Sequence, residues 1–89
     1  MNIIKNNKKI AWVTGGGTGI GSEIVKILVR NNWKVVISGR RLEKLKLTKE
    51  YDKKNIIPLK LDVTSELECK NVVKEILSRF GQIDLIILN

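Results

Sequence analysis

Eighty-nine residues, 43% hydrophobic and 29% charged, are enough for one small domain with a modest core. The absence of histidine and the single cysteine, Cys69, exclude Ser-His-Asp catalysis, imidazole acid–base chemistry, an internal disulfide and a Cys-rich metal site. The net charge of +8 is uneven, with 14 Lys/Arg against 4 Asp/Glu in residues 1–60 and 3 against 5 in residues 61–89. The lysines are scattered, and two Trp, one Tyr and one Phe offer few stacking platforms. A solvated basic surface is therefore preferred over a nucleic-acid site, though such a surface still attracts a phosphorylated cofactor. The N-terminal M-N-I-I-K-N-N-K-K has no apolar segment long enough for a signal peptide, and nothing approaches a membrane span. A cytoplasmic protein is expected.

The first element predicted is a strand at Ile10–Val13, apolar throughout and so buried on both faces. Thr14 to Gly21, T-G-G-G-T-G-I-G, follows at once, with five glycines in eight residues. A helix then carries Ile20, Ile24, Ile27 and Leu28 on one stripe. Val35–Ile37 reads as a second strand and runs into Ser38-Gly39-Arg40-Arg41. A Lys-rich second helix follows, with Leu42, Leu45 and Leu47 as its apolar positions. Ile56–Leu61 is a third strand, followed by Asp62-Val63. A third helix carries Leu67, Val72, Val73, Ile76, Leu77 and Phe80. It opens on Ser65-Glu66-Leu67-Glu68, a capping-box pattern, and closes at Gly81. Leu85–Leu88 is the fourth strand, and all four apolar runs are expected to be buried on both faces. The order β-α-β-α-β-α-β predicts a single α/β domain over residues 1–89: a doubly wound parallel sheet with right-handed crossovers and helices on both faces.

A glycine-rich turn between a strand and a helix is the setting of a phosphate site, because the helix start offers unpaired N–H groups and a partial positive charge. Spacing separates the known types. The pattern G-x-x-x-x-G-K-[ST] nearly fits from Gly16 to Gly21, but Ser22 stands where the Lys belongs, which argues against nucleoside-triphosphate hydrolysis. G-x-G-x-x-G fits nowhere in the loop. Gly15-x-x-x-Gly19-x-Gly21, preceded by Thr14, does fit.

That T-G-x-x-x-G-x-G pattern resembles the cofactor loop of the short-chain dehydrogenase/reductase family, whose fold is of Rossmann type. The resemblance extends along nearly the whole chain. A side chain just after the second strand reads the adenosine ribose, an acid selecting NAD and an Arg accommodating the 2′-phosphate of NADP. Here Gly39 stands where an acid would sit, and Arg40 follows with Arg41 beside it. The resemblance thus implies NADP in preference to NAD, through the planar fork of a guanidinium. Asp62 matches the residue that contacts adenine, with the backbone of Val63 contributing. Phe80-Gly81-Gln82-Ile83-Asp84 and Leu85-Ile86-Ile87-Leu88-Asn89 resemble the fourth strand leading into N-N-A-G, with Asn89 at the second Asn. The cofactor-binding residues implied are Thr14, Gly15, Gly17, Thr18, Gly19, Ile20, Gly21, Arg40, Arg41, Asp62, Val63 and Asn89.

The chemistry implied is hydride transfer between the nicotinamide and an alcohol or carbonyl carbon, with the nicotinamide dinucleotide as partner. The family performs it with a Tyr, a Lys four residues later and a Ser. The one tyrosine here, Tyr51, is followed at that spacing by Asn55, so no catalytic residue and no metal ligand are assigned. The expectation is the front part of a family member, its sheet truncated after the fourth strand. By itself it would bind at most the adenosine-diphosphate half of the cofactor without turnover, and the full-length form would be a homo-oligomer. The alternative is a complete, non-catalytic module that binds a dinucleotide or assembles with a partner.

Overall fold

Strand β1 (Ile10–Thr14) forms where the apolar run predicts it, and all five of its residues are buried. It lies between β2 (Lys34–Gly39) and β4 (Leu85–Ile87), with β3 (Ile56–Lys60) outside β2, so the sheet order is β3-β2-β1-β4. All pairings are parallel, with Trp12 opposite Val36 on one side and Ile86 on the other. The computed structural model describes residues 8–89. The N-terminal M-N-I-I-K-N-N, and with it the reading that no signal peptide is present, lies outside the described residues.

The strand pleat sends alternate residues to opposite faces. Ala11 and Val13 of β1 join Val35, Ile37 and Ile56 in one core cluster, closed by Val25 of α1 (Gly19–Arg30) and Leu45 of α2 (Leu42–Lys49). Ile10, Trp12 and Val36 face the other way and meet Val72 and Ile76 of α3 (Glu66–Phe80). This is the doubly wound, Rossmann-type architecture expected. Burial of each Val, Ile or Leu contributes about 1.5–3 kcal/mol, so the two clusters hold most of the apolar driving force.

Four details depart from the sequence-based expectations. First, α1 buries Gly21 and Val25 and packs Leu28 and Val29, while Ile20 and Ile27 are 73% and 51% exposed. The apolar residues cover rather more than half of the helix surface, opposite Ser22, Glu23, Lys26 and Arg30, so periodicity alone left open which part of that arc is buried, and the expected stripe meets the packed one at Leu28. Second, α2 buries Leu45 and Thr48 and leaves Leu47 exposed, because the Thr48 hydroxyl donates to the buried Gly16 carbonyl. Third, Leu67 and Leu77 of α3 are exposed, since the helix seats Val72 and Ile76 on the sheet and the step of about 100° per residue carries both leucines round away from it. Fourth, β3 and β4 are edge strands and only partly buried, unlike β1 and β2. The edge position of β3 accommodates Pro58, which has no N–H to give a further strand.

The helix boundaries have local causes. Ser65 Oγ accepts from the Glu68 amide, and Gly81 sits at φ +78°, as the capping-box and C′ patterns predict. The Glu68 carboxylate accepts from the Asp62 amide, not from Ser65. At the end of α1, Asn32 takes φ +69° while Trp33 N–H donates to Leu28 O and Asn32 N–H to Val29 O. This is a Schellman stop with Asn in the glycine position.

Candidate functional site

Beyond β1 the chain adds β2 and β3 on one side, then returns to place β4 on the other. In open parallel sheets that switch opens a crevice at the carboxyl ends of the strands. Four segments meet there: the glycine loop after β1, Gly39-Arg40-Arg41 after β2, Leu61 to Val63 after β3 and Asn89 after β4.

The five glycines have different tasks. Gly15 and Gly19 stand at φ +70° and +55°, where an L side chain is strained. A Cβ on Gly16 would lie 2.7 Å from Ile37 Cβ, and one on Gly21 only 2.1 Å from the Gly15 carbonyl oxygen. Those two glycines allow close packing. Gly17 lies against the first turn of α2, where a Cβ would stand 3.1 Å from Lys44 Cβ. Around Gly19 the space is open: beyond its chain neighbours and its own helix backbone, nothing among the described residues comes within 4 Å of such a Cβ.

The loop is locked from both sides. Gly15 N–H donates to the Ser38 carbonyl at 2.7 Å, and its own carbonyl accepts from Asn89 Nδ2 at 3.2 Å. Thr14 Oγ1 accepts from the Asn89 amide at 3.0 Å and donates to the Ile87 carbonyl. Asn89 thus ties β4 to the glycine loop.

The helix starts differ in a telling way. Helix α3 is capped by Ser65 and has Glu66 and Glu68 in its first turn. Helix α1 has no side-chain cap from Thr18 and no acid in its first turn. Its first N–H groups and the positive end of its dipole are left facing the open space at Gly19, which suits a phosphate group.

A cavity of about 320 Å³ occupies the crevice. Of the residues expected at the site, Thr14, Gly15, Gly17, Thr18, Arg40, Arg41, Val63 and Asn89 line it. Gly19 and Ile20 lie round the loop, on an adjoining groove with Gly17 and Thr18. Gly21 is buried beneath Gly15 and lines neither. Asp62 is also outside the lining: its Oδ1 accepts from the Thr64 hydroxyl at 2.6 Å and the Thr64 amide at 2.9 Å. The Thr64 hydroxyl holds the Asp62 carboxyl below the usual carboxylate range, and Arg40 adds to the effect through its charge. In this arrangement Asp62 organises the turn into α3.

The structure also brings in Gly39, Lys44, Leu45 and Leu61, which sequence reasoning did not assign to the site. Leu61 closes the third apolar run and could have been found as the wall of a crevice. Nothing in the sequence distinguishes Lys44 from the other lysines of α2. Arg40, Arg41 and Lys44 form no ion pair among the described residues, whereas Lys26, Lys53, Lys70 and Arg79 each pair with a glutamate. An apolar cavity rimmed by cations with no ion pair among the described residues, beside an uncapped helix start, has the chemistry to hold a phosphate-bearing ligand.

Trp12 is buried and donates from Nε1 to Ser38 Oγ at 2.9 Å, and it shares a shallow depression with Leu61, Val63 and Asn89. Tyr51 is remote from the site, exposed and accepting from Arg30 at the far end of α1. Among the described residues, no group of three or more His, Cys, Asp or Glu could hold a metal ion. No helix among them is long and apolar enough to cross a membrane.

Comparison with known proteins agrees with this geometry. The short chain dehydrogenase family model matches residues 9–89. The short-chain dehydrogenase/reductase PhomF' of Diaporthe leptostromiformis is 46% identical over 85 residues, covering 93% of this chain and 29% of that protein. An actinorhodin polyketide ketoreductase solved with NADPH superposes with a TM-score of 0.88 at 29% identity, over 98% of this chain and 34% of its own. The 3-ketoacyl-(acyl-carrier-protein) reductase of Brucella melitensis, complexed with NADH, gives a TM-score of 0.84 at 26% identity, over 92% and 34%. The chain therefore spans about a third or less of each of these three proteins. Motif, sheet order and these matches coincide: the chain belongs to the short-chain dehydrogenase/reductase family.

Proposed function

We propose that this chain forms the adenosine-diphosphate half of an NADP site in an oxidoreductase that moves hydride between nicotinamide and an alcohol or carbonyl carbon. The observation that carries the preference for NADP is the end of β2, where Gly39 stands in place of an acid and Arg40 and Arg41 rim the cavity with no ion pair among the described residues. A carboxylate there would accept from a ribose 2′-hydroxyl and repel a 2′-phosphate; guanidinium groups do the reverse. In this reading Arg40 and Arg41 face the 2′-phosphate, and Leu61, Val63 and Asn89 border the adenosine. The pyrophosphate lies over Thr18, Gly19 and Ile20 at the start of α1. Thr14, Gly15 and Gly21 hold the loop in shape, and Asp62 shapes the adenine end through its turn.

The bound nicotinamide supplies the hydride; the residues of this chain bind and orient the other end of the dinucleotide. The 89 residues contain no Tyr-x-x-x-Lys, and the chain by itself is proposed to bind without turnover. A cytoplasmic location and homo-oligomeric assembly of the whole protein belong to the same proposal. The test is binding of 2′,5′-ADP and 5′-ADP, followed through Trp12 fluorescence and by calorimetry. Tighter binding of 2′,5′-ADP supports the reading. Equal affinities, or tighter 5′-ADP, refute the preference for NADP.

A further inference from the structure

We infer that Lys44 is a third, specificity-determining cation for the ribose 2′-phosphate, acting beside Arg40 and Arg41. This rests on the proposed NADP site and deepens it. Lys44 lies in the first turn of α2, partly buried, where its Cβ would stand 3.1 Å from a Cβ on Gly17. The carbonyl carbon of Lys44 and the amide of Leu45 lie almost as close, at 3.2 and 3.3 Å. Any side chain at Gly17 would hold α2 away from the loop. The missing Cβ is what seats the Lys44 stem against the loop.

Its position is held independently of any ligand. Leu45, the next residue, is 1% exposed in the core, and Thr48, one turn on, donates to the Gly16 carbonyl at 3.0 Å. Among the described lysines, Lys44 alone lines both the cavity with Arg40 and Arg41 and the groove along Gly17, Thr18 and Gly19. It forms no ion pair among the described residues, unlike Lys26, Lys53 and Lys70. A lysine head group has three donors and a compact charge, so it complements the planar fork of Arg40 on a phosphate dianion.

The experiment compares Lys44→Met, which keeps the stem and removes the charge, with Lys44→Arg and with Arg40→Ala. Each is titrated with 2′,5′-ADP and 5′-ADP, and its thermal midpoint is measured. The expected result for Lys44→Met is a loss of about tenfold or more for 2′,5′-ADP, as for one charge-assisted hydrogen bond. Its 5′-ADP affinity and its midpoint stay unchanged, and Lys44→Arg retains most of the 2′,5′-ADP affinity. Unchanged 2′,5′-ADP binding in Lys44→Met, with discrimination intact in the wild type and lost in Arg40→Ala, overturns the role of Lys44 alone. An equal loss for both ligands also overturns it, because the charge would then serve the shared phosphate. A wild type that does not discriminate overturns the NADP reading and this inference with it.

Discussion

Gly21→Ala is the substitution that most directly tests how the loop is built. The added methyl would lie 2.1 Å from the Gly15 carbonyl oxygen and 2.7 Å from Asn89 Nδ2. Real contacts of this kind stay above 3.0 Å, so the start of α1 and the loop must separate by about 1 Å. Overpacking on this scale costs about 1–3 kcal/mol, and loss of the Asn89–Gly15 hydrogen bond costs about 1 kcal/mol more. Alanine returns about 0.5–1 kcal/mol through helix propensity. The net is about 1–3.5 kcal/mol, a fall in Tm of roughly 5–25 °C for a domain of this size. Gly19→Ala is the control: at φ +55° with open space around it, it costs about 1–2 kcal/mol in backbone strain and meets nothing. Thermal unfolding followed by circular dichroism and Trp12 fluorescence measures both. Gly21→Ala within 2 °C or so of the wild type would show that α1 does not rest on Gly15, and the assembly of the loop described above would be wrong.

Arg40→Ala is expected to weaken 2′,5′-ADP by about 10- to 100-fold and 5′-ADP by less than about twofold, read by calorimetry. In α1, Val25→Ala should cost about 2 kcal/mol and Ile27→Lys less than about 0.5 kcal/mol, since Val25 is buried and Ile27 is 51% exposed; chemical denaturation distinguishes them. Asn32→Ala should cost about 1 kcal/mol by placing an alanine at φ +69° in the α1 stop, measurable as a lower denaturation midpoint. The Asn55 side-chain amide, helped by the Asn55 and Lys54 backbone amides and by the charge of Lys8, holds the Asp52 carboxyl below its ordinary value. A depressed carboxylate contributes stability that is full above about pH 4 and lost as pH falls through its folded value, so Asp52→Asn should flatten the acid limb of stability below that pH. An acid limb of unchanged steepness in the variant would count against the Asp52–Asn55 bond.

How much of this was legible in the sequence depends on whether local or long-range forces act. The order of elements was legible because glycine, capping and apolar-run signals are local: Ser65 caps α3, and Gly81 ends it in the left-handed region, as their positions predict. The T-G-x-x-x-G-x-G loop was legible for the same reason, since its glycines answer to backbone conformation and to immediate neighbours. Periodicity could not decide which part of α1 is buried, because Ile20, Ile24, Val25, Ile27, Leu28 and Val29 spread over an arc wider than the sheet can cover, opposite Ser22, Glu23, Lys26 and Arg30. The choice of Val25 came from the sheet beneath it, where Gly21 lets the helix approach. Asp62 was assigned by position after β3, and only the fold engages its Oδ1 with the hydroxyl and amide of Thr64 two residues on. Lys44 and Asn89 acquire their places only when α2 and β4 fold back on the glycine loop, across separations of some 27 and 74 residues from Gly17 and Gly15. The sequence by itself determined the secondary elements, the parallel topology and the tight glycine-rich form of the first turn, because backbone sterics and apolar patterning act over a few residues. The tertiary structure decided the rest: which faces are buried, which glycines serve packing and which open space, and which of many lysines stands at the cavity. Those outcomes depend on distances between segments that are remote in the chain and meet only in the folded sheet.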